Sequence, residues 1–228
     1  MKLGPYDLKA IYTGDARELA KGIPDGSVDL IFTDPPYLKE FLPLYDWLAA
    51  EAVRILKPDG FLLAYAGAYW KTEVIKKFEQ ELDYFFDFIL VNGSGTSPII
   101  WNKKVISRHK SILAYRKRGS GALPRTNVIS FWVGSGEDKR YHVWGQDESS
   151  ARYYIDCFSK PGDVILDPFA GGGTTPYVCR VLDRRYLAFE LDSQMADVAR
   201  ARVKNVQPVL FDIHEQPLLF SQQKEPQP

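Results

Sequence analysis

Hydrophobic positions along the chain follow two rhythms. Short, nearly unbroken apolar runs alternate with longer stretches whose apolar residues recur at helical spacing. The run Val28-Asp29-Leu30-Ile31-Phe32 is rich in branched and aromatic residues and predicts a strand buried on both faces. Trp47, Leu48, Ala52, Val53 and Leu56 then share one face of a helix over 45–56, which Lys57-Pro58-Asp59-Gly60 is expected to stop. The same reading gives a strand at 61–65, an amphipathic helix at 69–81 and a strand at 84–91. A short strand at 10–13, leading through Gly14-Asp15 to a short helix, precedes them. After them come a helix at 149–158, a strand at 164–166, a helix through Leu182 and a strand at 186–189. Strand and helix in alternation predict an α/β fold with a mostly parallel sheet.

Regularity breaks between 92 and 146. Gly93, Gly95, Gly119, Gly121, Gly134 and Gly136 punctuate short strand-like pieces at 99–101, 111–116 and 128–133, with Trp101, Phe131, Trp132, Tyr141 and Trp144 among the charges. A long irregular segment inside a compact domain usually carries function. Charge sharpens the point. The formal net charge is zero, yet no acid occurs between Asp87 and Glu137, while Lys103, Lys104, Arg108, Lys110, Arg116, Lys117, Arg118 and Arg125 fall there. These eight are expected to form a local basic face that meets nucleic-acid phosphates, the alternative being a solvated pair of surface strands.

Composition narrows the classes. At 228 residues and 45% hydrophobic content the chain holds one well-cored domain, expected over 1–204 with 92–146 inserted and a tail at 205–228. No apolar run is long enough to span a membrane and the first residues begin no signal peptide, so a cytoplasmic protein is expected. Cys157 and Cys179 lie in apolar helical contexts and the three histidines are far apart, which predicts core cysteines, no disulfide framework and no metal site.

Two stretches carry chemistry. Asp34-Pro35-Pro36-Tyr37 follows the Val28 strand and so lies at a strand's carboxyl end, where open α/β sheets bind ligands. Two prolines stiffen the loop. An exocyclic amino group on a base is a poor nucleophile because its lone pair is delocalised into the ring. Accepting hydrogen bonds from both its N–H groups localises that pair, and the Asp34 carboxylate and Pro35 carbonyl suit this. Tyr37 offers a face on which an extruded base can stack. Taken alone, the tetrapeptide is also compatible with a simple tight turn. The second stretch is Asp167-Pro168-Phe169-Ala170-Gly171-Gly172-Gly173-Thr174-Thr175, a glycine-rich turn between strand and helix that lets backbone approach a cofactor. Glu190 ends the next strand, about where such folds place an acid for ribose hydroxyls. No Lys follows Gly173, so the turn does not fit a nucleotide-phosphate loop; an adenosine cofactor without pyrophosphate fits better.

With both motifs in view, the chain resembles the S-adenosylmethionine-dependent DNA amino-methyltransferases of the β group, in which the catalytic loop precedes target recognition and the cofactor loop comes last. The resemblance runs from Ile11 to about Val203. It implies a Rossmann-like methyltransferase fold with a circularly permuted motif order and a seven-stranded, mostly parallel sheet, acting on adenine N6 in double-stranded DNA. It makes Asp34, Pro35, Pro36 and Tyr37 catalytic. It surrounds the cofactor with Asp167, Phe169, Ala170, Gly171, Gly173 and Thr174, puts Glu190 on its ribose and Asp15 near its adenine, and carries contacts onto Phe158 and Ser159. Residues 99–103 resemble the segment entering target recognition. The chain departs from the family at 142–148, where the Lys-Pro pair of a common His-Pro-x-Gln-Lys-Pro stretch is missing. Cytosine N4, RNA adenine and an inactive DNA-binding subunit are the alternatives, and Asp rather than Ser at 34 favours adenine. A homodimer is compatible with the resemblance. In the tail, 216–220 has the form Gln-x-x-Leu-Phe and looks like a sliding-clamp peptide, or else covers the protein's own core.

Overall fold

The computed structural model of the chain describes residues 1–92, 99–134, 148–204 and 206. In chain order these form strands β1 (Lys2–Leu3), β2 (Tyr6–Asp7) and β3 (Ala10–Thr13), helix α1 (Ala16–Leu19), β4 (Val28–Thr33), α2 (Leu42–Ile55), β5 (Leu56–Ala66), α3 (Lys71–Phe78) and β6 (Leu82–Asn92). Next come β7 (Ile99–Ile100), β8 (Val105–Ile106), β9 (His109–Lys117) and β10 (Phe131–Gly134). The chain continues through α4 (Glu148–Phe158), β11 (Val164–Asp167), α5 (Thr174–Val181), β12 (Arg185–Glu190) and α6 (Ser193–Lys204). The tail beyond 206, with 216–220, and the stretch holding Tyr141, His142 and Trp144 lie outside the described residues.

Among the described residues, eight strands make one sheet in the order β10-β6-β9-β5-β4-β11-β12-β3. Only β9 runs against its neighbours, pairing antiparallel with β5 and β6; the other five pairings are parallel. Seven strands were expected. The eighth is β10, an edge strand from the inserted segment that adds to β6 in register Phe131↔Ile89.

Helices cover both faces, which is why the strand sequences read as continuous apolar runs. Leu30 and Phe32 of β4 pack into a cluster with α4, α5 and α6, whereas Ile31 packs into a cluster with α2 and α3. Asp29, the one polar residue of the run, ties strands together at the amino-terminal side. Its carboxylate accepts from Lys57 Nζ at 2.7 Å and from Val164 N at 2.8 Å.

The chain leaves β4 through α2 toward β5, and leaves β11 through α5 toward β12 on the other side. The adjacent carboxyl ends of β4 and β11 are therefore the point where strand order reverses, and a crevice opens there. Both predicted motifs sit at it.

Three local expectations shift. The strand expected at 61–65 begins five residues earlier: α2 ends at Ile55 and β5 begins at once at Leu56, with an irregular register against β4 between Val28 and Leu30. Helix α3 is shorter at both ends than 69–81. Helix α6 was not anticipated, although its signals are present. Asp192 accepts from Gln194 N and Met195 N at 2.8 and 3.0 Å as an amino-terminal cap, and Ala196, Ala199 and Val203 are buried at helical spacing. Cys157 and Cys179 are free and buried, as the sequence indicated.

Candidate active site

The loop after β4 is built to hold a carboxylate and a ring at fixed positions. Pro35 is buried, and the Tyr45 hydroxyl of α2 donates to the Pro36 carbonyl at 3.3 Å, anchoring the double proline from below. The Tyr37 hydroxyl donates to Asp34 Oδ1. The Tyr37 ring lies over Gly67, just past β5, so closely that a Cβ there would come 3.1 Å from its Cγ. Lys110 Nζ sits 3.8 Å from Asp34 Oδ2 and 4.4 Å above the centre of the Tyr65 ring. Lys110 was expected on a phosphate-binding face. The structure puts it on the catalytic loop instead, because β9 enters the sheet at the carboxyl edge of β5, with Ser111 opposite Ala66.

The loop after β11 is tied to the first. Thr33 Oγ1 donates to Asp167 Oδ1 at 2.7 Å, and Phe169 N donates to the same oxygen at 3.1 Å. Asp167 is almost fully buried; burial pushes its carboxyl up to about 6, although these hydrogen bonds oppose the rise. Beyond it the backbone turns through Gly171 and Gly173, both at positive φ. A Cβ on Gly173 would meet Ala199 Cβ of α6 at 2.9 Å, whereas one on Gly171 would meet nothing within 4 Å. Gly173 is thus required for packing, and Gly171 faces open space. Gly171 N donates to Glu190 Oε2 at 2.8 Å, and Ala170 N to the Phe189 carbonyl at 2.9 Å, so the turn is hung from β12. Phe169 packs edge-on against Trp47 at 6.1 Å.

One residue from α6 braces this loop. Arg202 of α6, buried, donates to the Gly172 carbonyl at 2.9 Å, Thr174 Oγ1 at 3.1 Å and Glu148 Oε1 at 2.5 Å. Asp15 lies in the neighbouring loop after β3, where Gly14 N donates to the Glu190 carbonyl at 2.9 Å. It caps α1 through Arg17 N at 2.8 Å, and its hydrogen bonds with the Arg17 side chain hold its carboxyl below the usual range. The structure therefore gathers Asp34 to Tyr37, Asp167 to Thr174, Glu190 and Asp15 along one edge of the sheet. Open space over Gly171, flanked by the Glu190 carboxylate, fits the adenosine-type group expected from the sequence.

Two sets of predicted residues do not join them. Phe158 and Ser159 end α4, and a tight turn at 160–163 leads from them into the start of β11, which puts them at the opposite edge. Phe158 is buried among Phe61, Phe85 and Phe88, and Ser159 is buried with its hydroxyl donating to the Ile155 carbonyl and accepting from Arg184. Their assignment to a cofactor is corrected: they are core residues. The eight basic residues likewise split. Lys103, Lys104, Arg108 and Lys110 lie at the catalytic edge. Arg116, Lys117, Arg118 and Arg125 lie at the far one, since β9 runs down the sheet and pairs Arg116 with Phe61 and Lys117 with Leu82. Arg116 donates to the Ala122 carbonyl, Arg118 to those of Glu79 and Gln80, and Arg125 to those of Asp156 and Ser159. A single basic face over 103–125 is therefore replaced by two separate groups.

A family model described as DNA methylase matches residues 125–201. The chain is 29% identical to the type II methyltransferase M.BamHI of Bacillus amyloliquefaciens, over 90% of this chain and 60% of that protein. It is 28% identical to M.HinfI of Haemophilus influenzae, over 90% of this chain and 71% of that protein. Among solved structures, a protein from Thermus thermophilus assigned as a DNA modification methylase and crystallised with S-adenosyl-L-methionine superposes with a TM-score of 0.72 at 24% identity. It covers 85% of this chain and 92% of its own. The cytosine-N4-specific PvuII DNA methyltransferase gives 0.73 at 21% identity, covering 86% and 87%. The fold is that of these methyltransferases, and the chain is similar in sequence to N6/N4 DNA methyltransferases. It spans three-fifths of the length of M.BamHI. Among the described residues no helix is long and apolar enough to cross a membrane, and no cluster of three or more His, Cys, Asp or Glu could hold a metal.

Proposed function

We propose that this protein transfers a methyl group from S-adenosylmethionine to the N6 amino group of adenine in double-stranded DNA. The observation that carries the reading is the pairing of the two loops at the strand-order reversal. Thr33, the residue before Asp34, is hydrogen-bonded to Asp167, the first residue of the glycine-rich turn, so base loop and cofactor loop are held in one frame. When bound, S-adenosylmethionine supplies a methyl carbon on a sulfonium that leaves without further activation. Glu190, Asp167, Phe169, Gly171 and Asp15 would hold it.

The chain's own residues do the rest. Asp34 accepts from the amino group and localises its lone pair. A carboxylate has about four acceptor sites, so it can do so while Tyr37 still donates to it. As the N–C bond forms, the nitrogen becomes acidic and one N–H proton leaves along the Asp34 hydrogen bond toward solvent. Tyr37, more than a third exposed, offers one ring face to a base. Its other side is pinned on Gly67. Positioning of this kind accounts for most of what such an enzyme must add, since the leaving group is already good.

The test is nucleoside analysis by mass spectrometry of DNA incubated with the purified protein and isotopically labelled S-adenosylmethionine. Labelled N6-methyladenine is expected. Label in N4-methylcytosine would overturn the choice of adenine, and label in neither would overturn amino-methyl transfer to DNA.

A further inference from the structure

The ribbon of β7 and β8 is joined by a four-residue tip, Trp101 to Lys104, with Lys104 at φ 55°. Its side chains are turned outward: Trp101 is 79% exposed, and Ile99, Val105 and Ile106 are also exposed. An indole so placed cannot serve the core, and a two-residue ribbon is too short to be stable by itself. Its position is nevertheless fixed by polar and ring contacts that lead to the catalytic loop. Asn102 Nδ2 donates to the Tyr69 hydroxyl at 2.7 Å, Lys103 Nζ lies 5.7 Å over the Tyr69 ring, and Tyr69 packs against Trp70 at 4.8 Å. Lys39, two residues after Tyr37, lies 5.9 Å over Trp70. Tyr69 itself is two residues from Gly67, on which the Tyr37 ring rests. The tip thus stands beside the place where a base would be received.

Its chemistry selects the occupant. From Ile99 to Ser111 there is no acidic residue, and Lys103 and Lys104 share the four-residue tip with Trp101, with Arg108 close behind in sequence. An apolar protein partner would be met by an apolar surface alone. An exposed aromatic wedge on a tip that also carries cations fits a stack of bases between two phosphate chains, where inserted side chains unstack a step and cations take the backbone. We propose that Trp101 enters the duplex next to the target base and stacks in the gap the base leaves, while Lys103 and Lys104 contact the flanking phosphates. This rests on the DNA methyltransferase reading above and adds to it the side chain that stabilises the extruded state.

The test uses the full chain and duplex DNA carrying the target found by modified-base sequencing. Trp101→Ala is expected to lower kcat/KM on the intact duplex by about tenfold to a hundredfold, the loss of one base–aromatic stack. It should keep near wild-type activity when the target base faces an abasic site, where no base pair has to be broken to extrude it, and should leave cofactor affinity unchanged. Trp101→Phe should recover much of the duplex activity. An equal loss on both substrates, or no loss on the duplex, overturns the wedge while leaving methyl transfer intact. Absence of transfer by the wild-type protein on either substrate overturns both proposals.

Discussion

Asp34 and Asp167 are both acids at strand ends, and their surroundings give them opposite duties. Asp34 is at the surface of the crevice, paired with Lys110 and accepting from Tyr37, as suits a group that exchanges partners when a base arrives. Asp34→Ala is expected to abolish methyl transfer while cofactor affinity, measured by calorimetry, stays within a few fold; full activity would remove Asp34 from the mechanism. Asp167 is buried, and its folded-state value of about 6 lies above the ordinary carboxylate value, so the folded protein holds the proton more tightly than the unfolded chain. Stability from this group is full at low pH and falls as pH rises from about 4 to 6, by about 3 kcal/mol at most. Asp167→Asn should flatten that part of the pH–stability curve in chemical denaturation, and a curve with unchanged slope would show that Asp167 is not the group. The Asp34 motif was legible because its function is encoded in adjacent residues. Lys110 and Thr33 were misassigned or overlooked because their partners, Asp34 and Asp167, meet them only across paired strands.

At the scale of elements, the turn from β11 to α5 separates what a glycine does for packing from what it does for a ligand. Gly173→Ala must take up a left-handed conformation and push on Ala199, so a loss of at least about 2 kcal/mol is expected, a fall in Tm of roughly 5 °C or more. Gly171→Ala carries only the conformational cost of about 1–2 kcal/mol, with nothing to strike, and its main effect should be weaker cofactor binding. Thermal melts with and without S-adenosylmethionine distinguish them: the ligand should stabilise Gly173→Ala and add little to Gly171→Ala. The reverse pattern would reject the cofactor's approach over Gly171. The alternating strand and helix elements were legible from hydrophobic rhythm alone. Phe158 and Ser159 were misplaced because sequence order near a motif says nothing of sheet edge. A helix preceding a strand ends at the strand's amino side, away from the crevice.

For the whole molecule, zero net charge means that no long-range field draws DNA to the surface, and binding must come from where the cations stand. Lys39, Lys103, Lys104 and Arg108 are exposed on the catalytic side, whereas Arg118 and Arg125 are occupied with main-chain carbonyls at the other edge. The sequence showed the absence of acids over this span but not its division, because β9 carries one end of the segment to each edge of the sheet. The two groups predict different phenotypes. Replacing Lys103 and Lys104 by Ala should reduce the slope of log affinity against log salt by about 2, roughly 0.9 for each phosphate no longer neutralised. Replacing Arg118 and Arg125 by Ala should leave that slope unchanged and lower Tm, because the carbonyls of Glu79, Gln80, Asp156 and Ser159 lose charged donors. Fluorescence anisotropy with labelled duplex between about 50 and 200 mM salt measures the slope, the range over which counterion release dominates. Equal slopes for the two double variants would mean that DNA does not lie across the crevice edge. Base loop and wedge would then face away from their substrate.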